Sequence, residues 1–295
     1  MPHKVIPRIH GGLGNQLFCY AAARRLAIVH GAELVIDAKS GFARDRDYQR
    51  TYELDHFQIP FRKATSWELL APFSRVRRYL KRAANRRRPF TERKYIQQEG
   101  FEFEPRLLHF KPKGTVYLEG YWQSEDYFKD VQATIRQDLR VIPPTDRDNL
   151  EMARRIRHAP SVAVHVRFFD APGEGRNNAP ADYYAHAIDR MGALAPGGHY
   201  FVFSDRPDAA RALIPLADDR VTIVTHNRGD ANAYADLWLM MQATHFIIAN
   251  STFSWWAAWL AEDLNKVVIA PGFVMREGKM WWGFDRLLPD RWIKV

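Results

Sequence analysis

At 295 residues the chain is long enough for two domains of ordinary size, since single hydrophobic cores stop growing near roughly 250–300 residues. Its 46% hydrophobic and 26% charged content excludes a wholly disordered chain, a collagen-like rod and a multi-span membrane protein. The formal charge of +9 belongs to one stretch: residues 75–94 hold ten Lys/Arg against the single acid Glu92, and the remainder carries 33 basic and 33 acidic residues, which excludes a basic field over the whole protein.

In chain order, Val5–His10 reads as a strand, Gly11–Gly14 as a tight loop, Asn15–His30 as a helix and Glu33–Asp37 as a second strand, together a βαβ unit. Residues 38–60 and 84–114 are rich in charge, Pro and aromatics without clear periodicity and read as long loops or irregular structure. Thr115–Glu119 is strand-like, Glu125–Leu139 helical, and Pro143-Pro144 marks a hinge. The alternation then becomes regular, with strands at Ser161–His165, His199–Ser204, Val221–Thr225, His245–Ala249 and Lys266–Ala270. Helices are expected between them at 182–194, 207–214, 230–243 and 253–263. The expected class is α/β in two domains, with a βαβ unit opening the first and a Rossmann-like open sheet in the second. In such sheets ligands bind beyond the strand carboxyl ends, which points to His165, Ser204-Asp205, Thr225 and Asn250–Ser254.

Cys19 is the only cysteine, so an intramolecular disulfide and a cysteine-rich zinc site are excluded. The eleven histidines show no metal-ligand spacing, and no bound metal is expected. Asp45-Arg46-Asp47 and Asp146-Arg147-Asp148 follow no apolar strand and read as solvated charges. With no apolar run of signal-peptide length at the start and no window near the ~20 apolar residues of a membrane span, a cytoplasmic protein is expected, at most lying on the inner face of the membrane.

Three motifs carry chemistry. Gly11-Gly12-Leu13-Gly14-Asn15-Gln16 joins a strand to a helix, where Gly12 and Gly14 let a ligand approach the backbone and Asn15 and Gln16 offer amides; Leu17 stands where a dinucleotide fingerprint has its third glycine, so a plain tight turn is an equal reading. His165-Val166-Arg167-Phe168-Phe169-Asp170 leaves a strand with His165 and Arg167 on one face, and an arginine fork there suits a phosphate or, equally, a surface pair with Asp170. Asn250-Ser251-Thr252-Phe253-Ser254 opens a helix, with Ser251 or Thr252 as its cap and first-turn N–H groups able to hold a phosphate. Trp255, Trp256 and Trp259 are expected to pack that helix on the sheet.

In this order the motifs resemble glycosyltransferase family 11, the α-1,2-fucosyltransferases, through GGLGNQLFCYAAARRLA (11–27), LEGYWQSEDYF (118–128), HVRFFD (165–170), FSD (203–205), NSTFSWWAAWL (250–260) and PDRW (289–292). The resemblance implies a GT-B-like pair of Rossmann-type domains facing across a cleft, residues 1–144 on the acceptor side and 145–295 binding the GDP-sugar. It implies GDP-L-fucose as donor, no cofactor or metal, inversion at the anomeric carbon, and an oligosaccharide or lipid-linked glycan acceptor, usually the 2-hydroxyl of a β-galactoside. Donor contacts then fall to Gly12, Gly14, Asn15, Gln16, His165, Arg167, Ser204, Asp205, Ser251, Thr252 and Ser254, with Asp236 in the position of a guanine-binding acid. Arg167, Asp170 and Glu174 are the catalytic candidates, Asp170 as a base or as an orienter. Trp122, Gln123, Asn177, Asn178 and Asp182 are the acceptor candidates. The family usually shows His-x-Arg-Arg-x-Asp, and Phe168 replaces the second arginine here. Another linkage or GDP-sugar, a lectin, and a nucleic-acid binder using 75–94 are the competing readings; the last lacks a stacking platform, and no nucleic-acid partner is expected. Segment 75–94 is instead expected to contact an anionic membrane surface.

Overall fold

The computed structural model describes residues 3–43, 45, 49–172, 177–263, 265–272, 274–276 and 279–295. They form two compact units, 1–140 and 141–295.

The first unit runs β1 (Lys4–Pro7), α1 (Leu13–Val29), β2 (Glu33–Leu34), α2 (Ser74–Arg86), β3 (Tyr95–Gln97), β4 (Thr115–Glu119) and α3 (Gln132–Asp138). Its strands are all parallel in the order β2-β1-β4-β3. Helix α1 is buried on every side, from Leu17, Phe18 and Cys19 to Ala23 and Leu26, as expected of a helix apolar all round. Strand β3 lies inside the stretch read as irregular; at three residues it is too short to show a period, yet Tyr95 and Ile96 are buried. The helix expected over 125–139 is broken: 3-10 turns at Glu125–Tyr127 and Lys129–Val131 precede α3, the first capped by the Ser124 hydroxyl, which accepts from the Asp126 N–H at 3.2 Å.

Asp37 and Glu119, two of the buried carboxylates of this unit, are met by cations. Asp37 accepts from Arg78 Nη2 at 2.5 Å, and Glu119 accepts from Arg8 at 2.7 Å and from Arg82 at 2.6 and 2.7 Å. Burial alone would raise the Glu119 pKa, but the Tyr95 hydroxyl and the two arginine charges outweigh it and hold the carboxyl below its usual range. Arg78 and Arg82 both stand on α2, so the basic run is anchored to the sheet by its own charges.

The second unit runs α4 (Arg147–His158), β5 (Ser161–Val166), α5 (Ala181–Leu194), β6 (His199–Ser204), α6 (Pro207–Arg211), β7 (Val221–Ile223), α7 (Ala233–Met240), β8 (His245–Ile247), α8 (Thr252–Leu260), β9 (Val268–Ala270), the hairpin β10 (Val274–Arg276) and β11 (Lys279–Trp282), and β12 (Ile293–Lys294). Six strands lie in parallel in the order β12-β9-β8-β5-β6-β7. Asp146, read as a solvated charge, caps α4 by accepting from the Asn149 N–H at 2.9 Å. That helix escaped the sequence reading because Asn149, Ala153 and Ile156 are its only buried residues. Trp255, Trp256 and Trp259 are wholly buried with ring centroids 5.1–6.2 Å apart, and Trp292 of the PDRW motif lies 5.4 Å from Trp255.

In each sheet the strand order reverses once. The chain passes from β5 outward to β6 and β7, then crosses to β8, β9 and β12 on the other side; in the first unit it passes from β1 to β2, then crosses to β3 and returns to β4 beside β1. Loops leaving adjacent strands in opposite directions open a crevice at the strand carboxyl ends, the ligand position of open α/β sheets. Two of the three sequence motifs follow β5 and β8, and the third follows β1.

Candidate active site

Strand β5 delivers His165 buried and Arg167 partly exposed just past its end. His165 Nδ1 lies 2.9 Å from Ser254 Oγ in the first turn of α8, so one hydrogen bond closes the reversal between β5 and β8. The hydroxyl has one hydrogen to give, and the Ser251 carbonyl lies 3.3 Å from it; with the proton there, Nδ1–H donates to Ser254. Burial first, and the Arg167 charge second, push the His165 pKa down to about 3, so the ring is a neutral strut.

Arg167 Nη1 stands 3.3 Å from Asp205 Oδ2 at the end of β6, and Asp205 Oδ1 accepts from the Phe168 N–H at 3.1 Å. The partner of Arg167 is therefore Asp205 and not Asp170, because Asp205 projects from the neighbouring parallel strand in register. Phe168, where the resemblance leads one to expect a second arginine, is buried in the core with Tyr183, Tyr184, Val166 and Val202. A cation there would be desolvated; the backbone at that position carries an apolar anchor instead. Ser204 accepts from the Arg206 N–H at 3.0 Å and shapes the same turn.

Ser251 caps α8, its hydroxyl accepting from the Phe253 N–H at 3.3 Å, and Thr252 begins the helix. First-turn N–H groups have no intrahelical acceptor, so they and Arg167 form a cationic end to the crevice. Ser254 needs correction: wholly buried and bonded to His165, its hydroxyl braces the ring and presents nothing to a phosphate.

Asp170 accepts on both carboxylate oxygens from Asn177, from its N–H at 3.0 Å and its Nδ2 at 2.9 Å. Asn178 Oδ1 accepts from the N–H groups of Phe169 and Asp170 at 2.7 and 3.1 Å, and Asn250 Nδ2 donates to the Asn177 carbonyl at 2.8 Å. Asn177 and Asn178 thus clasp the Asp170 loop and tie it to the loop before α8, where an acceptor-binding role was expected. Asn177 Oδ1 and the buried Asn250 Oδ1 have no hydrogen-bond partner among the described residues. Glu174 lies outside the described residues. Asp182 is exposed in the first turn of α5.

Asp236 on α7 lies partly buried and accepts from Asn227 Nδ2 at 2.8 Å. Burial, only partly offset by that bond, pushes its pKa up to about 7. Asn227 also exchanges hydrogen bonds with Asn149, whose Nδ2 reaches Asp146 at 2.9 Å. Asn149 and Asn227 carry no motif and were missed by the sequence reading.

The crevice of the first unit has a different lining. Gly11, at φ +77°, makes the turn that a Cβ would obstruct, since it would meet the Asn15 side chain at 3.0 Å and Tyr121 at 3.1 Å. Gly12 precedes α1, near the Arg50 guanidinium, and Gly14 is buried inside its first turn. Asn15 Oδ1 accepts from Gln123 Nε2 at 2.7 Å, closing the reversal between β1 and β4. Gln16 needs correction: its amide donates to the Gly11 and Thr51 carbonyls at 2.9 and 2.8 Å and accepts from the Glu53 N–H at 2.9 Å, wholly buried. It pins the loop and cannot face a donor. Trp122 is likewise buried, packed edge-on against Tyr127 at 5.6 Å, and offers an acceptor no surface. His10, absent from the sequence candidates, ends β1's loop 4.5 Å from the Tyr121 ring, its pKa brought to about 4 by burial and then by the Arg8 charge.

Among the described residues no group of three or more His, Cys, Asp or Glu could hold a metal ion, and no helix is long and apolar enough to cross a membrane.

A family model described as glycosyl transferase family 11 matches residues 4–275. The chain is 27% identical over 310 residues to the alpha-1,2-colitosyltransferase of Escherichia coli, spanning 99% of this chain and 98% of that protein. It is 26% identical over 312 residues to the O-antigen biosynthesis glycosyltransferase WbnK of Escherichia coli, spanning 97% and 99%. Among solved structures it is similar to the NodZ alpha-1,6-fucosyltransferase soaked with GDP-fucose, at TM-score 0.52 and 17% identity over 88% of this chain and 93% of that one; NodZ comes from Bradyrhizobium. The shared fold is the α/β, GT-B-like class expected from the sequence.

Proposed function

The chain belongs to glycosyl transferase family 11, and from that premise we propose that it transfers L-fucose from GDP-β-L-fucose, with inversion, to the 2-hydroxyl of a β-galactoside in an oligosaccharide or lipid-linked glycan. The observation that carries this reading is the constellation at the β5/β8 reversal: Arg167 steadied by Asp205, beside a helix start whose first turn is locked by the His165–Ser254 bond.

In the proposed reaction the acceptor oxygen attacks the anomeric carbon from the face opposite GDP. The bond to the β-phosphate oxygen breaks and its electron pair stays on GDP, while the acceptor proton passes to a base. Charge therefore builds on the pyrophosphate, where Arg167 and the first-turn N–H groups of α8, with Ser251 and Thr252, would stabilise it. Donors fixed in advance are commonly worth about 3–4 kcal/mol each at such a point. Asp205 would act by aiming Arg167, and His165, held neutral, by placing the helix start rather than by moving a proton. Asp236 would accept from guanine N1–H and its 2-amino group together, which requires the ionised carboxylate. Asp170, held by Asn177, is better arranged to order its loop than to leave it, which directs the search for the base toward Glu174. Gln123 would line the acceptor side, and Asn15, which accepts from it, would face the donor from the first unit.

Colitose is the second reading. It is fucose without the 3-hydroxyl, and similarity to the alpha-1,2-colitosyltransferase extends over nearly the whole chain. Incubating the protein with GDP-fucose, GDP-colitose and GDP-mannose and a panel of β-galactosides, with and without chelator, separates the readings by product mass and linkage NMR. Transfer of fucose in α-1,2 linkage is expected; exclusive colitose transfer would establish the second reading, and transfer of mannose alone would overturn both.

A further inference from the structure

Helix α2 is amphipathic in the reverse sense of an ordinary surface helix. Arg78, Arg82 and Asn85 form its inward face, where Arg78 meets Asp37, Arg82 meets Glu119, and Asn85 Oδ1 accepts from the Lys94 N–H at 2.6 Å. The positions at i, i+3, i+4 and i+7 on the opposite face are Val76, Tyr79, Leu80 and Ala83. These are exposed: Val76 at 56%, Tyr79 at 68% and Leu80 at 58%. Two more large side chains stand at the helix entrance, Phe73 at 76% and Trp67 at 77% exposure. The turn carrying Trp67 is joined to the helix, since Arg77 Nη1 donates to the Ala71 carbonyl at 3.2 Å.

Exposed arginines flank the apolar stripe. Arg75 and Arg86 lie on one side, Arg87 and Arg88 continue it past the helix end, and between Glu68 and Glu92 there is no acid at all. A second copy of the chain would bring these like charges together. A nucleic acid would leave the aliphatic stripe in water. An anionic bilayer satisfies both: arginines reach phosphate headgroups while aromatic and aliphatic side chains enter the acyl boundary.

We propose that the outer face of α2, with Trp67 and Phe73, is a membrane-docking surface that lies in the interface of an anionic lipid bilayer. This proposal is independent of which sugar is transferred. It also narrows the charge expected over 75–94: Arg78 and Arg82 are engaged inside the protein, and the outward cations act together with an apolar stripe that the charge count does not register.

The test is co-sedimentation of the full-length protein at 0.1 M salt with vesicles of phosphatidylcholine containing 30% phosphatidylglycerol, against phosphatidylcholine alone. Partitioning at least tenfold stronger to the anionic vesicles is expected. Replacing Arg75, Arg86 and Arg87 by Gln should weaken it by about a hundredfold, at roughly fivefold per cation. Val76→Ser with Leu80→Ser, which leaves the charge unchanged, should weaken it by about tenfold. Brominated lipid should quench a component of the tryptophan emission that is missing in Trp67→Phe, a readout that stands even if another variant fails to fold. Equal binding to neutral vesicles, undiminished binding of the arginine or serine variants, absence of Trp67 quenching, or self-association through this face in place of vesicle binding would each overturn the proposal.

Discussion

Between β1 and β4 the loop ends meet through two amides, Asn15 and Gln123, whereas between β5 and β8 they meet through a neutral imidazole and a hydroxyl with Arg167 and Asp205 alongside. The two crevices arise from the same topological event, a reversal of strand order in a parallel sheet. What separates them is charge and its anchoring. In the second unit the arginine is left partly exposed and steered by one carboxylate, ready for an anion. In the first unit the buried carboxylates Asp37 and Glu119 are answered from below by α2, and the loop amides are matched to one another. Under the proposed function the crevice with an aimed cation would take the pyrophosphate, and that of the first unit, with its paired amides, aromatics and the Arg50 guanidinium near Gly12, would face the sugars.

The strongest way to break this contrast is Arg167→Ala, for which turnover is expected to fall by roughly two to three orders of magnitude with the melting temperature little changed. Initial rates with saturating acceptor check it, and near wild-type turnover would remove the second crevice from the chemistry. Gln16→Ala should do the reverse. It leaves the Gly11 and Thr51 carbonyls and the Glu53 N–H without their partner, at a cost of about 1–3 kcal/mol in stability, while KM for the donor stays within about twofold of wild type in that same comparison. Chemical denaturation and donor kinetics on one preparation decide it.

Asp236 sharpens the contrast through pH. Burial has raised its pKa to about 7, and a guanine would bind the ionised form, so GDP affinity should rise as pH increases through 7 and fall by up to about tenfold per unit below it. Asp236→Asn should flatten that dependence and weaken GDP at pH 8, while raising the melting temperature there because a desolvated charge is removed. Calorimetric GDP titrations of both proteins from pH 5.5 to 8.5 measure it, the β-phosphate's own titration being common to the two. The smallest effect is expected for Asp205→Asn, which keeps the bond to the Phe168 N–H but loses the ion pair: turnover down about tenfold, half or less of the Arg167 effect in free energy. A loss as large as that of Arg167→Ala would give Asp205 a direct part in the reaction.

The second sheet from β5 to β9 was legible because its strands are apolar runs of countable spacing, and β6, like β4 of the first sheet, matched residue for residue, whereas β12 has only two residues and shows no pattern. Helix α4 was not, since a helix that buries only one aliphatic residue beside Ala153 and Asn149 shows no stripe. In the site, strand alternation was enough to place His165 and Arg167 together, and a hydroxyl cap at Ser251 or Thr252 followed from residue type, the structure selecting Ser251. Which polar groups face a ligand was not legible. Gln16, Trp122 and Ser254 sit at motif positions, yet Gln16 and Ser254 are consumed by partners distant in sequence, Thr51 and His165, and Trp122 by burial against Tyr127. Asn227 joins Asp236 to Asn149 across 78 residues, a contact that no local pattern encodes.

The central claim, that the second unit's reversal grips the pyrophosphate through Arg167, is tested most directly by a binding cycle. GDP and guanosine are titrated calorimetrically into wild type and into Arg167→Ala. GDP should bind wild type at least about a hundredfold more tightly than guanosine, from charge-assisted bonds worth about 1.5–3 kcal/mol each, and that advantage should collapse to about tenfold or less in the variant while guanosine affinity is unchanged. An undiminished advantage of GDP over guanosine in Arg167→Ala would contradict the account.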